Sequence, residues 1–165
     1  TLTSMAALAA TAVAAVEAFD RNIKIIDIQQ GLRESHFAAR FELIKPNVMI
    51  DGAHNAQGLK ELYQALNTPL YQTMTMTLII GSLIDKNVVS AFDDILKNKR
   101  FQIVLVPFAG PNGRHSLDIE TVAQKYGVEV ADNWHEAYHQ HHTDMIIFTG
   151  SLYFVSEVRG EICQN

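Results

Sequence analysis

The sequence predicts an α/β fold: a mainly parallel sheet with helices on both faces, preceded by a short hairpin. Two observations carry this. The hydrophobic period switches between strand-like and helical runs about every dozen residues, which implies crossover connections between parallel strands. The chain is also long and apolar enough for one buried core, with 165 residues of which 48% are hydrophobic and 19% charged. A chain of this size buries roughly 70% of its unfolded surface.

The elements follow in order. In TLTSMAALAATAVAAVEAF the larger side chains Met5, Leu8, Val16 and Phe19, with Ala12 between them, recur at helical spacing, and Thr3 or Ser4 can cap the start. This stretch is not a signal peptide, because no basic residue precedes its apolar part and the first arginine is Arg21. It is too weakly apolar for a membrane span. The chain begins at Thr1 rather than Met, and the helix is expected to pack on something outside the chain, fraying or docking on a neighbour without it.

RNIKIIDIQQGLRESHF reads as a connecting stretch. ARFELI and VMID read as two extended runs around a turn at Lys45-Pro46-Asn47. AQGLKELYQAL sets Leu59, Leu62 and Leu66 on one helical face, and Pro69 breaks it. MTMTLIIG is a buried strand ending at Gly81, and DKNVVSAFDDILKNK a helix with Val88, Phe92, Ile95 and Leu96 inward. The strand FQIVLVP, the loop FAGPNGRHS, a helix capped by Ser116 or Asp118, and the short strand GVEVA come next. NWHEAYHQH is a helix, DMIIFTG a strand and SLYFVSEV a final helix.

Composition excludes several functions. A net charge of −5 argues against nucleic acid, whose phosphates need a basic surface. A single cysteine, Cys163, rules out an internal disulfide and a cysteine-based zinc site, and fits a reducing, cytoplasmic setting. Neither a G-x-x-x-x-G-K-[ST] phosphate loop nor a G-x-G-x-x-G fingerprint occurs.

Ligands of such sheets bind beyond the carboxyl ends of the strands. That rule puts Asp51 to Asn55, Gly81 to Lys86, Pro107 to Arg114 and Thr149 to Ser151 along one edge. The run DGAHN is the most informative. It delivers Asp51 to a strand end and places His54 and Asn55 where a helix begins, and helix starts favour anions. The bland alternative is a plain strand-to-helix turn with Asn55 as cap. Arg40 is either a surface arginine paired with Glu42 or a phosphate contact reaching from the hairpin. Ser151 follows a strand at a helix start, as a cap or a ligand-binding hydroxyl; the second glycine of G-x-S-x-G is missing. His135-Glu136-Ala137-Tyr138-His139 matches the zinc motif H-E-x-x-H. Its short helix is expected to begin near the opposite end of the sheet, with only Glu157 or Glu161 left as a third ligand.

Taken together, GL with ARFE (31–42), IDGAHN with GLKEL (50–62), IIGSLIDKNV (79–88) and TGSLYFVSEVR (149–159) resemble the carboxy-terminal domain of folylpolyglutamate and dihydrofolate synthases, in the Mur ligase superfamily. The resemblance covers nearly the whole chain. It implies a Rossmann-like domain at 23–165, and at 1–22 the last helix of a central ATPase domain that lies upstream. It implies a cytoplasmic, ATP- and Mg2+-dependent ligase in which a folate or dihydropteroate carboxylate is phosphorylated and L-glutamate attacks the acyl phosphate. By the same resemblance Arg40, Asp51 and Asn55 contact ATP, and His54 and Ser151 lie near the reacting end or the incoming glutamate. This chain itself supplies no metal ligand. Alone it is expected to be inactive, with neither nucleic acid nor membrane as partner. The family has Trp-Pro-Gly before the arginine where this chain has Phe37-Ala38-Ala39, implying a looser start to the hairpin. Two other readings remain: a non-catalytic Rossmann-like binding module, and an H-E-x-x-H zinc hydrolase.

Overall fold

The computed structural model describes residues 2–35 and 37–164, with side chains from Ala7 onward. The chain divides into two compact units, residues 1–38 and 39–165.

The first unit holds two helices, α1 (Leu2–Phe19) and α2 (Ile25–Glu34). Thr3 and Ser4 already lie inside α1, so neither caps it. Leu8, Val16 and Phe19 are exposed, Phe19 at 95%. The supposed connecting stretch is largely helical. Ile25, Ile28 and Leu32 recur at i, i+3 and i+7, Asp27 and Arg33 suit the two ends of the helix dipole, and Gln30 donates to Glu34 one turn on at 2.8 Å. The extra apolar Ile26 and the Gln29-Gln30-Gly31 run hid that period.

The second unit is a six-stranded sheet in the order β1-β2-β6-β3-β4-β5. Strands β1 (Glu42–Lys45) and β2 (Val48–Asp51) form the hairpin around Pro46-Asn47, the only antiparallel pair among the named strands. Strands β3 (Met76–Gly81), β4 (Phe101–Val106), β5 (Glu129–Val130) and β6 (Met145–Gly150) run parallel to one another and to β2.

Successive residues on a strand face opposite sides, and both sides are covered. Leu78, Ile80, Ile103, Leu105 and Ile147 pack with Leu59, Leu62 and Leu66 of α3 (Ala56–Leu66) and with Phe92 and Ile95 of α4 (Phe92–Leu96). Ile50, Ile79, Val104 and Phe148 pack with Trp134 and Ala137 of α6 (Trp134–Gln140), and with Phe154, Val155 and Val158 of α7 (Leu152–Ile162). α5 (Ile119–Tyr126) is capped by Asp118, which accepts the Thr121 N–H.

The fourth helix is shorter than the sequence suggests. A 3₁₀ turn, Val89–Ala91, precedes five α-helical residues, and Leu96 is only half-buried. Two adjacent valines weaken the helical start.

The parallel register brings four strand ends level. Asp51 lies opposite Thr149, and Gly81 lies opposite both Gly150 and Val106. The segments that follow β2, β3, β4 and β6 therefore meet at one edge.

Candidate functional site

The hairpin bends sharply as it enters this edge. Ala39 and Phe41, on either side of Arg40, both adopt left-handed backbone, with φ of 57° and 50°. Such a conformation costs an L-residue roughly 1–2 kcal/mol, so neighbouring groups must hold it. Ala39 is buried and doubly bonded: its N–H donates to Glu42 Oε2 at 2.8 Å, and its carbonyl accepts the Gly52 N–H at 2.7 Å. The hairpin start is thus tight, contrary to the looseness expected from Phe37-Ala38-Ala39. Glycine is the residue that takes this backbone without strain.

Asp51 ties the bend to the next turn. Its Oδ2 accepts the Phe41 N–H at 2.8 Å and its Oδ1 the Ala53 N–H at 2.9 Å. Burial pushes its pKa above the ordinary carboxylate range, against the lowering effect of those two N–H groups and of the Arg40 charge. Arg40 itself is exposed, and its Nη1 donates to the Gly52 carbonyl at 3.3 Å. His54 Nδ1 meets the same carbonyl at 2.9 Å, so that nitrogen carries the proton and the other ring nitrogen is free to serve the cavity the ring lines. Asn55 caps α3, accepting the Gly58 N–H at 2.8 Å. Its side chain is committed to the cap.

A cavity of about 170 Å3 opens at this edge, lined by His54, Ser151 and Tyr153 together with Leu83, Lys86 and Arg114. Ser151 is 5% exposed and begins α7 without capping it, so its hydroxyl is left for the cavity. The first turn of α7 holds no acidic residue, and its dipole presents positive charge there. Arg114 Nη2 donates to Asp85 Oδ2 at 2.6 Å, and this bond holds the Asp85 carboxyl below its usual range. Two cationic side chains, Lys86 and Arg114, with a hydroxyl and a helix start suit a carboxylate or phosphate. The strand-end rule put the segments ending in Lys86 and Arg114 on this edge, but neither residue was singled out for a role in the site.

Thr149, fully buried, donates to the Ala53 carbonyl at 3.2 Å, and Gly150 N–H reaches the same oxygen at 3.0 Å. The ends of β2 and β6 are stitched together there.

The H-E-x-x-H run is elsewhere. α6 follows the carboxyl end of β5, not the opposite end of the sheet as its sequence position suggested. His135 Nε2 pairs with Glu161 at 2.8 Å, and Glu136 accepts the Asp132 N–H and the Gln140 amide. Among the described residues no group of three or more His, Cys, Asp or Glu could hold a metal ion.

A doubly covered parallel sheet with its polar residues gathered at the carboxyl edge defines a ligand-binding α/β domain. The family model of the dihydrofolate synthetase C-terminal domain matches residues 39–160, and the chain belongs to that family. Folylpolyglutamate synthase of Lacticaseibacillus casei is 36% identical over 140 residues, covering 81% of this chain and 31% of the relative. The crystal structure of folylpolyglutamate synthase from Thermotoga maritima superposes with a TM-score of 0.73 at 26% identity, over 93% of this chain and 37% of that one. The Mycobacterium tuberculosis folylpolyglutamate synthase, solved with ADP and AMPPCP, shares the fold at a TM-score of 0.75 and 23% identity, over 93% of this chain and 39% of that one. This chain spans about a third of the length of these proteins.

Proposed function

We propose that this chain is the carboxy-terminal part of an ATP-dependent ligase that joins L-glutamate to a folate or dihydropteroate carboxylate. On this reading residues 1–22 are the last helix of a central ATPase domain and residues 23–165 the closing domain, whose compact body is the unit at residues 39–165. The observation that carries this reading is the family match over residues 39–160. Arg40, Asp51, His54 and Ser151 also converge on one sheet edge.

In this mechanism a substrate carboxylate oxygen attacks the γ-phosphorus of ATP, and ADP leaves. The glutamate amine then attacks the acyl carbonyl and phosphate leaves. Phosphoryl transfer of this kind depends on positioning and charge stabilisation more than on covalent help from the protein. Arg40 is exposed on a stiff bend, from which its guanidinium can meet the phosphates once the domains close. Asp51 orders that bend through the Phe41 N–H and faces the nucleotide side. His54, with Nδ1 held by the Gly52 carbonyl, offers its other nitrogen at the reacting end. Ser151, Lys86 and Arg114 receive a carboxylate of the incoming glutamate. Asn55 acts on the site through its cap of α3. Magnesium finds no three-residue cluster among the described residues. On this reading magnesium enters with ATP at the upstream domain, and no step here passes through it.

The test is ADP release by the full-length protein, with dihydropteroate and with a reduced folate as separate acceptors. We expect release that requires both L-glutamate and one of the acceptors. ADP release indifferent to glutamate overturns the reading.

A further inference from the structure

The structure assigns a positioning role to the Glu42–Arg159 pair, which fixes the bend that presents Arg40. The inference rests on the proposed phosphate contact of Arg40. It adds two residues that touch neither ATP nor glutamate in that scheme.

Arg40 is flanked by two non-glycine residues in left-handed backbone, Ala39 at φ 57° and Phe41 at φ 50°. Strained backbone of this kind persists only where its surroundings over-determine it. On the Phe41 side the hold is Asp51, already part of the site. On the Ala39 side it is Glu42, whose Oε2 accepts the Ala39 N–H at 2.8 Å. A glutamate on a strand has freedom to swing away, and here a second element stops it. Arg159 of α7 lays its guanidinium across the carboxylate, with Nε at 3.0 and 3.1 Å from the two oxygens and Nη2 at 3.0 Å from Oε1. This fork fixes both the distance and the plane of the carboxylate, which a lysine ammonium cannot do.

The pair also links the two halves of the site. The α7 helix that carries Arg159 starts at Ser151, beside the cavity, and the strand that carries Glu42 follows directly from Arg40. Through this couple the helix that presents the hydroxyl and the bend that presents the guanidinium keep one register. Small displacements matter in such a site: moving a catalytic group by about 1 Å costs on the order of a hundredfold in rate.

The experiment has two arms. In this chain, 15N relaxation of Arg159→Gln should lower the order parameters of the residue 39–41 amides from about 0.85 to below about 0.6. The amides of β3 and β4 should keep their values. Arg159→Lys should restore the bend in part. Glu42→Gln keeps the side-chain volume and one acceptor for Ala39, and it carries the same expectation should Arg159→Gln not fold.

In the full-length enzyme, Arg159→Gln should reduce turnover about ten- to a hundredfold with Arg40 present, and leave it unchanged in an Arg40→Ala background. A purely structural role would lower turnover by the same factor in both backgrounds, and that result overturns the proposal. So do amides at 39–41 that stay rigid in both variants. If Arg40→Ala alone retains wild-type turnover, the phosphate role of Arg40 fails and the catalytic half of the proposal falls with it. The relaxation arm would then still report whether the pair holds the bend.

Discussion

Phe41 donates its backbone N–H to Oδ2 of Asp51 at 2.8 Å, so the residue after Arg40 is sewn to the strand end that carries the carboxylate of the site. The bond spans the hairpin. It lets one side chain order two turns, because Oδ1 of the same carboxylate takes the Ala53 N–H at 2.9 Å. Asp51 therefore acts as a splint between the two turns.

That double role has a pH signature. Burial raises the Asp51 pKa above the ordinary aspartate value, more than the two N–H donors and Arg40 lower it. A group raised on folding stabilises through its protonated form. That contribution is complete below about pH 4 and is lost as pH rises through the folded value. Asp51→Asn cannot titrate, and its amide must turn an N–H toward one of two N–H donors, so it should cost roughly 1–3 kcal/mol. The gap between wild type and variant should be widest near pH 4 and narrow toward pH 7. Urea midpoints read from Trp134, the single tryptophan, at each pH would measure it. A gap that widens with pH would mean that the two N–H groups and Arg40 outweigh burial.

The second prediction concerns Gly150, at the end of β6. Its φ is 116°, and a Cβ built there falls on the Gly81 carbonyl. That carbonyl accepts the Ser151 N–H at 2.7 Å, so the contact cannot be relieved by moving a flexible side chain. Gly150→Ala should lose at least about 3 kcal/mol, combining backbone strain with a broken strand-end bond. Its effect should be largest where β6 meets β3, because Ser151 depends on that junction. A loss below about 1 kcal/mol in urea unfolding would contradict the geometry.

Much of the fold was legible because burial on both faces writes itself as apolar runs. MTLIIG, FQIVLV and MIIFTG correspond to β3, β4 and β6 with little shift at the ends. The convergence of Asp51, Gly81 and Ser151 followed from parallel strands alone. Helix α2 was lost because the extra apolar Ile26 and the Gln29-Gln30-Gly31 run obscure the spacing of Ile25, Ile28 and Leu32. The start of α1 was misread because Thr3 and Ser4 have the chemistry of caps, yet the helix reaches Leu2. Within the site, pairwise distances across the fold stayed hidden. Nothing in the sequence joins Glu42 to Arg159, which lie 117 residues apart. Likewise, the left-handed backbone at Ala39 is invisible in an alanine, since glycine would have announced it.

The last prediction separates a closing domain from a self-sufficient nucleotide binder. Arg40 is exposed, and its guanidinium donates to the Gly52 carbonyl at the long distance of 3.3 Å. A bond that weak is easily exchanged for a phosphate oxygen, which offers a full negative charge. In the full-length enzyme Arg40→Ala should lower turnover about a thousandfold, the range seen when an arginine leaves a transferring phosphoryl group. Arg40→Lys should recover only part of it, because a point charge lacks the planar fork. At this edge the chain by itself offers ATP the exposed Arg40 and a cavity whose cations Lys86 and Arg114 both lie against Asp85, with no phosphate loop in its sequence. Calorimetry on the isolated chain should therefore find ATP affinity no tighter than about millimolar, or −4 kcal/mol. Micromolar binding, twice that free energy, would require a complete nucleotide site on this edge and would overturn the closing-domain mechanism.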